Sequence, residues 1–268
     1  MTLTHPAYEQ LRQVTPSAGV VLADNPSGMT LEGTNTWLLR APGSTAYVLV
    51  DPGPKDRKHT EELVRATGGE ITLTLITHHH HDHTGGIDRL VKATGTPVRA
   101  VESDFLRGSG TALTDGEVIE EAGLRITVLA TPGHTTDSVS FLVDGPDDER
   151  LLLTGDTVLG SGTTVLESRD GALADYLDSL GKLLDAGKGR ALLPAHGPDH
   201  PDAEPVLRFY IQHREERLQQ VRDALGKLGP NAKTLQIVAH VYADVPKTLW
   251  PAAASSVKAQ LAYLRSHG

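Results

Sequence analysis

The chain has 268 residues, a formal net charge of −9, 38% hydrophobic residues and no cysteine. This is ordinary globular composition, large enough for one big domain or two unequal ones, and it excludes disordered and fibrous classes. Without cysteine there can be no disulfide framework, thiolate-ligated zinc, iron–sulfur cluster or thiol nucleophile. No apolar run reaches the roughly 18 residues of a membrane span. The first residues, MTLTHPAYEQLRQV, lack a basic start followed by an apolar block, so no signal peptide and a cytoplasmic location are expected.

In chain order, short apolar runs bounded by Gly and Pro predict strands over 36–39, 47–50, 71–77, 97–101, 124–129, 139–143 and 151–153. Helical patterns fall between them, over 57–67, 86–94 and 173–184. Mixed order with hairpin-like pairs predicts an α/β protein with much antiparallel sheet, not a doubly wound one. Beyond about 202 the pattern changes. Leu207, Ile211, Leu218, Val221, Leu225 and Leu228 recur at helical spacing, and Gly229-Pro230 ends that helix. A second helix is expected from a Thr234 cap to Tyr242, and a third over 251–265 after Pro246. The division is therefore a catalytic-sized α/β domain over 1–205 and a small helical domain over 206–268. Residues 206–268 hold nine Lys/Arg and four Asp/Glu, which leaves 16 and 30 of the chain's 25 and 34 for residues 1–205. The basic part reads as a docking surface for an acidic macromolecule, with Arg214, Arg217, Arg222 and Lys258 as its candidate charges.

The stretch Ile76-Thr77-His78-His79-His80-His81-Asp82-His83-Thr84-Gly85-Gly86 follows a strand and opens a helix. It is placed in a loop at a strand end, from which side chains reach one cleft. Imidazole and carboxylate together suit zinc and its borderline neighbours. Three further candidate ligands follow strands: His134 in Thr131-Pro132-Gly133-His134-Thr135, Asp156 after Leu152-Leu153-Thr154-Gly155, and His196 after Leu192-Leu193-Pro194-Ala195. Strand-end placement would bring them to a common edge. His79 and His81 alternate with the ligands and are expected to point away. His5, His59, His200, His213, His240 and His267 lack such a context.

The order HxHxDH, PGHT, GD and a final strand-end His resembles the metallo-β-lactamase superfamily. Further stretches resemble its β-lactamase-like protein 2 branch: Asn25-Pro26, Met29-Thr30-Leu31-Glu32-Gly33-Thr34-Asn35-Thr36, Asp51-Pro52-Gly53, Gly155-Asp156-Thr157-Val158-Leu159-Gly160 with Thr163-Thr164, and His196-Gly197-Pro198. So does the helical C-terminal extension, winged-helix-like in that branch. Here the chain stops soon after its third helix, so the β-wing is expected to be short or missing.

The resemblance implies an αββα sandwich with two zinc ions (Zn2+) per chain. It gives His78, His80 and His134 to the first metal, and Asp82, His83 and His196 to the second. Asp156 bridges both, and Asp82 is also taken as the catalytic residue. A metal-bridging hydroxide would do the hydrolysis without a protein nucleophile. Asp51 resembles the carboxylate that orients ligand histidines, and Thr135, Asp137 and Thr163 would line the cleft. The implied substrate is single-stranded RNA or an acyl thioester on a carrier protein. Few aromatics in the basic segment count against base stacking: Phe209, Tyr210, Tyr242, Trp250 and Tyr263. A single-iron sulfur dioxygenase on the same scaffold is the alternative, with lactam hydrolysis below it. Di-iron members carry an acid where this chain has His80. A closed structural metal site is the least consistent reading, because such sites use four protein ligands around one ion.

Overall fold

The computed structural model describes residues 8–166, 169 and 171–267. The first half runs β1 (Leu11–Thr15), β2 (Ala18–Leu22), β3 (Asn35–Leu39), β4 (Tyr47–Val50), α1 (Arg57–Thr67), β5 (Ile71–Leu75), α2 (His81–Thr84), α3 (Ile87–Thr94) and β6 (Val98–Arg99). The second half runs β7 (Val118–Glu121), β8 (Leu124–Ala130), β9 (Val139–Asp144), β10 (Arg150–Leu153), α4 (Ala172–Ala186) and β11 (Ala191–Leu193). Three helices follow: α5 (Ala203–Leu228), α6 (Thr234–Val241) and α7 (Trp250–His267).

The six strands of the first sheet lie in sequence order, antiparallel through β4 and parallel from β4 to β6. The second sheet has the order β11-β10-β9-β8-β7, with only β10 and β11 parallel. Side-chain alternation decides how they stack. Trp37 and Leu39 of β3 and Leu151 and Leu153 of β10 enter one core between the sheets, with Val50, Leu75, Ile126, Val128 and Phe141. Leu38 and Leu49 face the other way, against Leu63 of α1 and Leu90 of α3. Leu152 of β10 and Leu192 of β11 pack outward on Tyr176 and Leu180 of α4 and Leu207 and Tyr210 of α5. The result is helix, sheet, sheet, helix, as the resemblance implies. Phe141 is fully buried between the sheets, and truncation to Ala there is expected to cost about 3–5 kcal/mol.

Several expectations shift. β5 stops at Leu75 rather than 77, and a single helical turn, α2, stands where a plain loop was expected. The strand expected over 97–101 shortens to Val98–Arg99. Strands β1, β2 and β7 were not anticipated. β1 and β7 are edge strands whose residues are largely exposed or half-buried, so their apolar alternation is weak. Helix α6 is capped one residue earlier than expected: the Gln236 side chain accepts the Lys233 N–H at 2.8 Å.

Beyond the sandwich, Val221 and Ala224 of α5 share a small core with Ile237 and Val238 of α6 and Val257 and Leu261 of α7. Among the described residues no strand follows β11. Among them, too, no helix is long and apolar enough to cross a membrane.

Candidate metal centre

The seven residues singled out in the sequence meet at one edge of the sandwich, where strands of both sheets end. His78 and His80 come from the turn after β5, and Asp82 and His83 from α2. His134 follows β8, Asp156 follows β10, and His196 follows β11. They form two adjoining groups. In the first, His78 Nε2 and His134 Nε2 lie 2.9 and 3.0 Å from His80 Nδ1. Asp156 Oδ2 is 3.5 Å from His134 Nε2 and 3.9 Å from His78 Nε2. In the second, Asp82 Oδ2 lies 3.3 Å from His83 Nε2 and 3.2 Å from His196 Nε2. Asp156 Oδ1 is 3.5 and 3.2 Å from the same two nitrogens. Asp156 thus turns one oxygen to each group.

Local backbone features allow this convergence. Gly155 sits at φ +50°, and a Cβ there would lie 2.8 Å from Thr77 Cβ, so the chain entering Asp156 can press against the strand carrying the histidine turn. Gly33 sits at φ +141°, with room for no Cβ against the Ala23 carbonyl. Its own carbonyl accepts the Nδ1–H of His196 at 3.0 Å. The neighbouring Asn35 amide reaches the carbonyls of Pro194 and Gly197, at 3.0 and 2.9 Å. Thr34 Oγ1 donates to Asp82 Oδ2 at 3.3 Å. The Gly33-Thr34-Asn35 stretch therefore has a mechanical role: it seats the His196 turn and Asp82.

Each anchored histidine presents a defined nitrogen. Asp51, buried and at the unusual φ of +56°, accepts His83 Nδ1–H at 2.8 Å and the Thr77 N–H and hydroxyl at 2.8 and 2.7 Å. Thr77 Oγ1 lies 3.1 Å from His78 Nδ1. The Val165 carbonyl accepts His134 Nδ1–H at 2.7 Å. These partners leave Nε2 of all four rings free to face the groups.

The electrostatics divide the two groups. Burial, then its imidazole neighbours, holds His78 well below the usual histidine range and His80 down to about 4. Burial also disfavours charge on His83 and His196. There the nearby Asp156, with Asp51 or Asp82, outweighs it, leaving His83 well above that range and His196 at about 9. Burial opposes ionisation of Asp82 and Asp156 too, yet the facing histidines hold both carboxyls well below the usual range.

A metal fits these residues on two grounds. Five imidazole nitrogens and two carboxylates crowd together in two adjoining groups. Among the described residues, His83 Nε2 and Asp156 Oδ1 are buried without a hydrogen-bond partner.

The other candidates fall differently. Asp137 does not line the metal groups; its carboxylate accepts from His79 Nδ1 at 2.7 Å, with Glu102 at 3.9 Å. His79 therefore turns to a separate carboxylate, and His81 is exposed. Thr135 is buried and bonded to Ser138 at 2.7 Å, a turn contact. Thr164, rather than Thr163, approaches His134, with Oγ1 at 3.1 Å from Nδ1. His59 is buried and bridges Glu9 and Thr36, and His200 holds the Gly160 carbonyl. His5 lies outside the described residues. Arg214 is buried rather than exposed, and Arg217 is half-buried over the Tyr242 ring. The sequence reading missed Thr77, Gly33 and Val165. The last two act through carbonyls, which every residue carries.

Comparison with known proteins agrees with this architecture. The metallo-beta-lactamase superfamily profile matches residues 29–203, and the beta-lactamase associated winged helix domain profile matches 234–268. A beta-lactamase-like protein 2 homolog of Drosophila melanogaster is 32% identical, covering 96% of this chain and 90% of that one. An atrochrysone carboxyl ACP thioesterase of Aspergillus chevalieri is 34% identical, over 90% of this chain and 78% of its own. The solved beta-lactamase domain protein from Burkholderia ambifaria superposes with a TM-score of 0.83 at 20% identity, covering 100% of this chain and 92% of that one. With its two-sheet sandwich, its helical extension and this spread of similarity, the chain belongs to the metallo-β-lactamase superfamily, in the β-lactamase-like protein 2 branch.

Proposed function

We propose that the protein is a hydrolase dependent on two zinc ions, with acyl thioesters on a carrier protein as substrate. The observation that carries the metal reading is Asp156, which offers one oxygen to each histidine group. His78, His80, His134 and Asp156 would hold one ion and Asp82, His83 and His196 the other, with Asp156 Oδ1 shared into it. Zinc so held supplies Lewis acidity at the reacting centre and a competent oxygen nucleophile near neutral pH.

The protein's own residues set up the rest. His78, His83 and His196 are buried, whereas His80 and Asp82 are half-buried, so substrate approaches from the His80 and Asp82 side. Asp82 remains a carboxylate at neutral pH, which suits it to accept a hydrogen bond from attacking water and makes it a poor acid for the leaving group. Asp51, Gly33 and Val165 keep the rings in register.

Two features support a thioester. The similar thioesterase aligns across most of the chain. A cavity of about 250 Å³, lined by Leu159, Val206, Phe209 and Tyr210, opens beside the segment that follows Asp156. Its Gly160 donates to the His196 carbonyl at 2.8 Å, so an acyl chain could lodge close to the centre. The basic segment 206–268 then meets the acidic carrier. Single-stranded RNA is the second reading, favoured by the same basic segment and by Phe209, 53% exposed and stacked on His213.

The test is a hydrolysis panel on zinc-loaded protein: acyl thioesters on carrier protein and on small thiols, single-stranded RNA, and lactams. Turnover of carrier-bound thioester above the others supports the proposal. Turnover of RNA alone moves the assignment to the second reading. Iron with sulfur dioxygenation, and no hydrolysis, overturns both.

A further inference from the structure

The segment between Asp156 and Leu166 is held from outside by α4 and α5. Tyr176 of α4 donates its hydroxyl to the Thr157 carbonyl at 2.7 Å. Tyr210 of α5 accepts the Leu159 N–H at 2.9 Å. One helical turn on, Arg214 of α5 donates through Nη2 to the Thr164 carbonyl. Arg214 is 5% exposed, and its guanidinium carbon sits 4.9 Å over the Tyr176 ring. The next carbonyl along the chain, that of Val165, is the one that accepts Nδ1–H of His134. The Thr164 hydroxyl lies beside the same nitrogen.

We propose that Arg214 is a positioning residue for the metal centre. By fixing the Thr164 carbonyl it keeps the Val165 carbonyl against His134 and holds His134 Nε2 toward His80 and Asp156. The inference rests on the reading of these histidines as metal ligands. It extends that reading to the C-terminal helices, one of whose cations becomes part of the support of the site. Arginine suits the task because a planar guanidinium can lie on an aromatic face and still aim an N–H along its edge, which a lysine ammonium cannot. The effect is one-sided. His83 and His196 are anchored to Asp51 and Gly33, which belong to the first sheet's loops.

The experiment uses full-length protein with its metal stripped. Zinc is titrated back against a chromophoric chelator for the wild type, Arg214→Met, Arg214→Lys, His134→Ala and Arg217→Met. The binding equivalent weakened in His134→Ala identifies the His134 group. Arg214→Met is expected to weaken that equivalent about 10–100-fold and Arg214→Lys less, as removal of outer hydrogen-bond partners does elsewhere. The other equivalent and Arg217→Met should match the wild type. In zinc-loaded protein the His134 Nδ1–H resonance should exchange faster with water in both Arg214 variants. Should Arg214→Met fail to fold, Arg214→Lys decides. Equal loss from both equivalents, or loss from neither, overturns the inference while leaving the ligand reading standing. A wild type that takes up no zinc overturns both.

Discussion

Asp51 Oδ2 receives the Nδ1–H of His83 at 2.8 Å, and the same oxygen takes the Thr77 hydroxyl at 2.7 Å. One carboxylate thus fixes a ring in the second group and the strand end that leads to the first. Asp51→Asn keeps the shape but offers an amide N–H where an acceptor is needed. Zinc affinity at the Asp82, His83 and His196 group should fall about 10–100-fold. Elemental analysis after dialysis against a weak chelator checks this; full occupancy would refute the orienting role.

Asp156 is the residue whose two oxygens face different groups. Asp156→Ala should therefore reduce both metal equivalents, whereas Asp82→Ala should reduce one. Undiminished metal in Asp156→Ala would dispose of the bridging role.

His79 and His80 are adjacent in sequence but face different partners. His79 meets Asp137, while His80 Nδ1 meets His78 and His134. His79→Ala should retain both metals and His80→Ala should lose one. Equal losses would mean that the register of the turn is misassigned.

Metal uptake should depend on pH differently at the two groups. In metal-free protein at neutral pH His196, at about 9, is protonated and so is His83, while His78 and His80 are neutral. A cation entering the Asp82, His83 and His196 group must displace protons. Its apparent affinity therefore falls as pH drops below about 9, by about tenfold per unit for each proton displaced. For His80, at about 4, no proton is in the way until pH approaches that value. Calorimetric titration in buffers of different ionisation enthalpy reads the protons directly. Equal release from both equivalents near neutrality would contradict the division.

Arg222 and Lys258 are exposed on α5 and α7. Reversing both charges should raise the apparent KM for carrier-bound substrate at low salt, with the effect fading as salt rises, and should spare a small thioester. Loss on both substrates regardless of salt would assign these residues to folding instead.

Much of this was legible in the sequence where the signal is local. The strand Tyr47–Val50 and the helix Arg57–Thr67 emerge from apolar spacing and flanking Gly and Pro, and fall where expected. The ligand candidates declare themselves by residue type at strand ends, and the chain brings them to one edge. What stayed hidden depends on backbone atoms or on distant packing. Carbonyls of Gly33 and Val165 carry no residue-type signal. Arg214 shows the opposite failure. Positions 207, 211, 214 and 218 share helical spacing, so the stripe already ran through it, but a charged residue type suggested solvent.

The chain order of the ligands has a mechanical consequence. Four come from the half that builds the first sheet and three from the half that builds the second, and none lies within the core between them. A cation seated there would act as a clasp across two separately woven layers. Parting the layers would break its coordination sphere, so bound metal would resist their separation as well as serve the chemistry. In such an arrangement, metal supply and the lifetime of the folded chain are tied together.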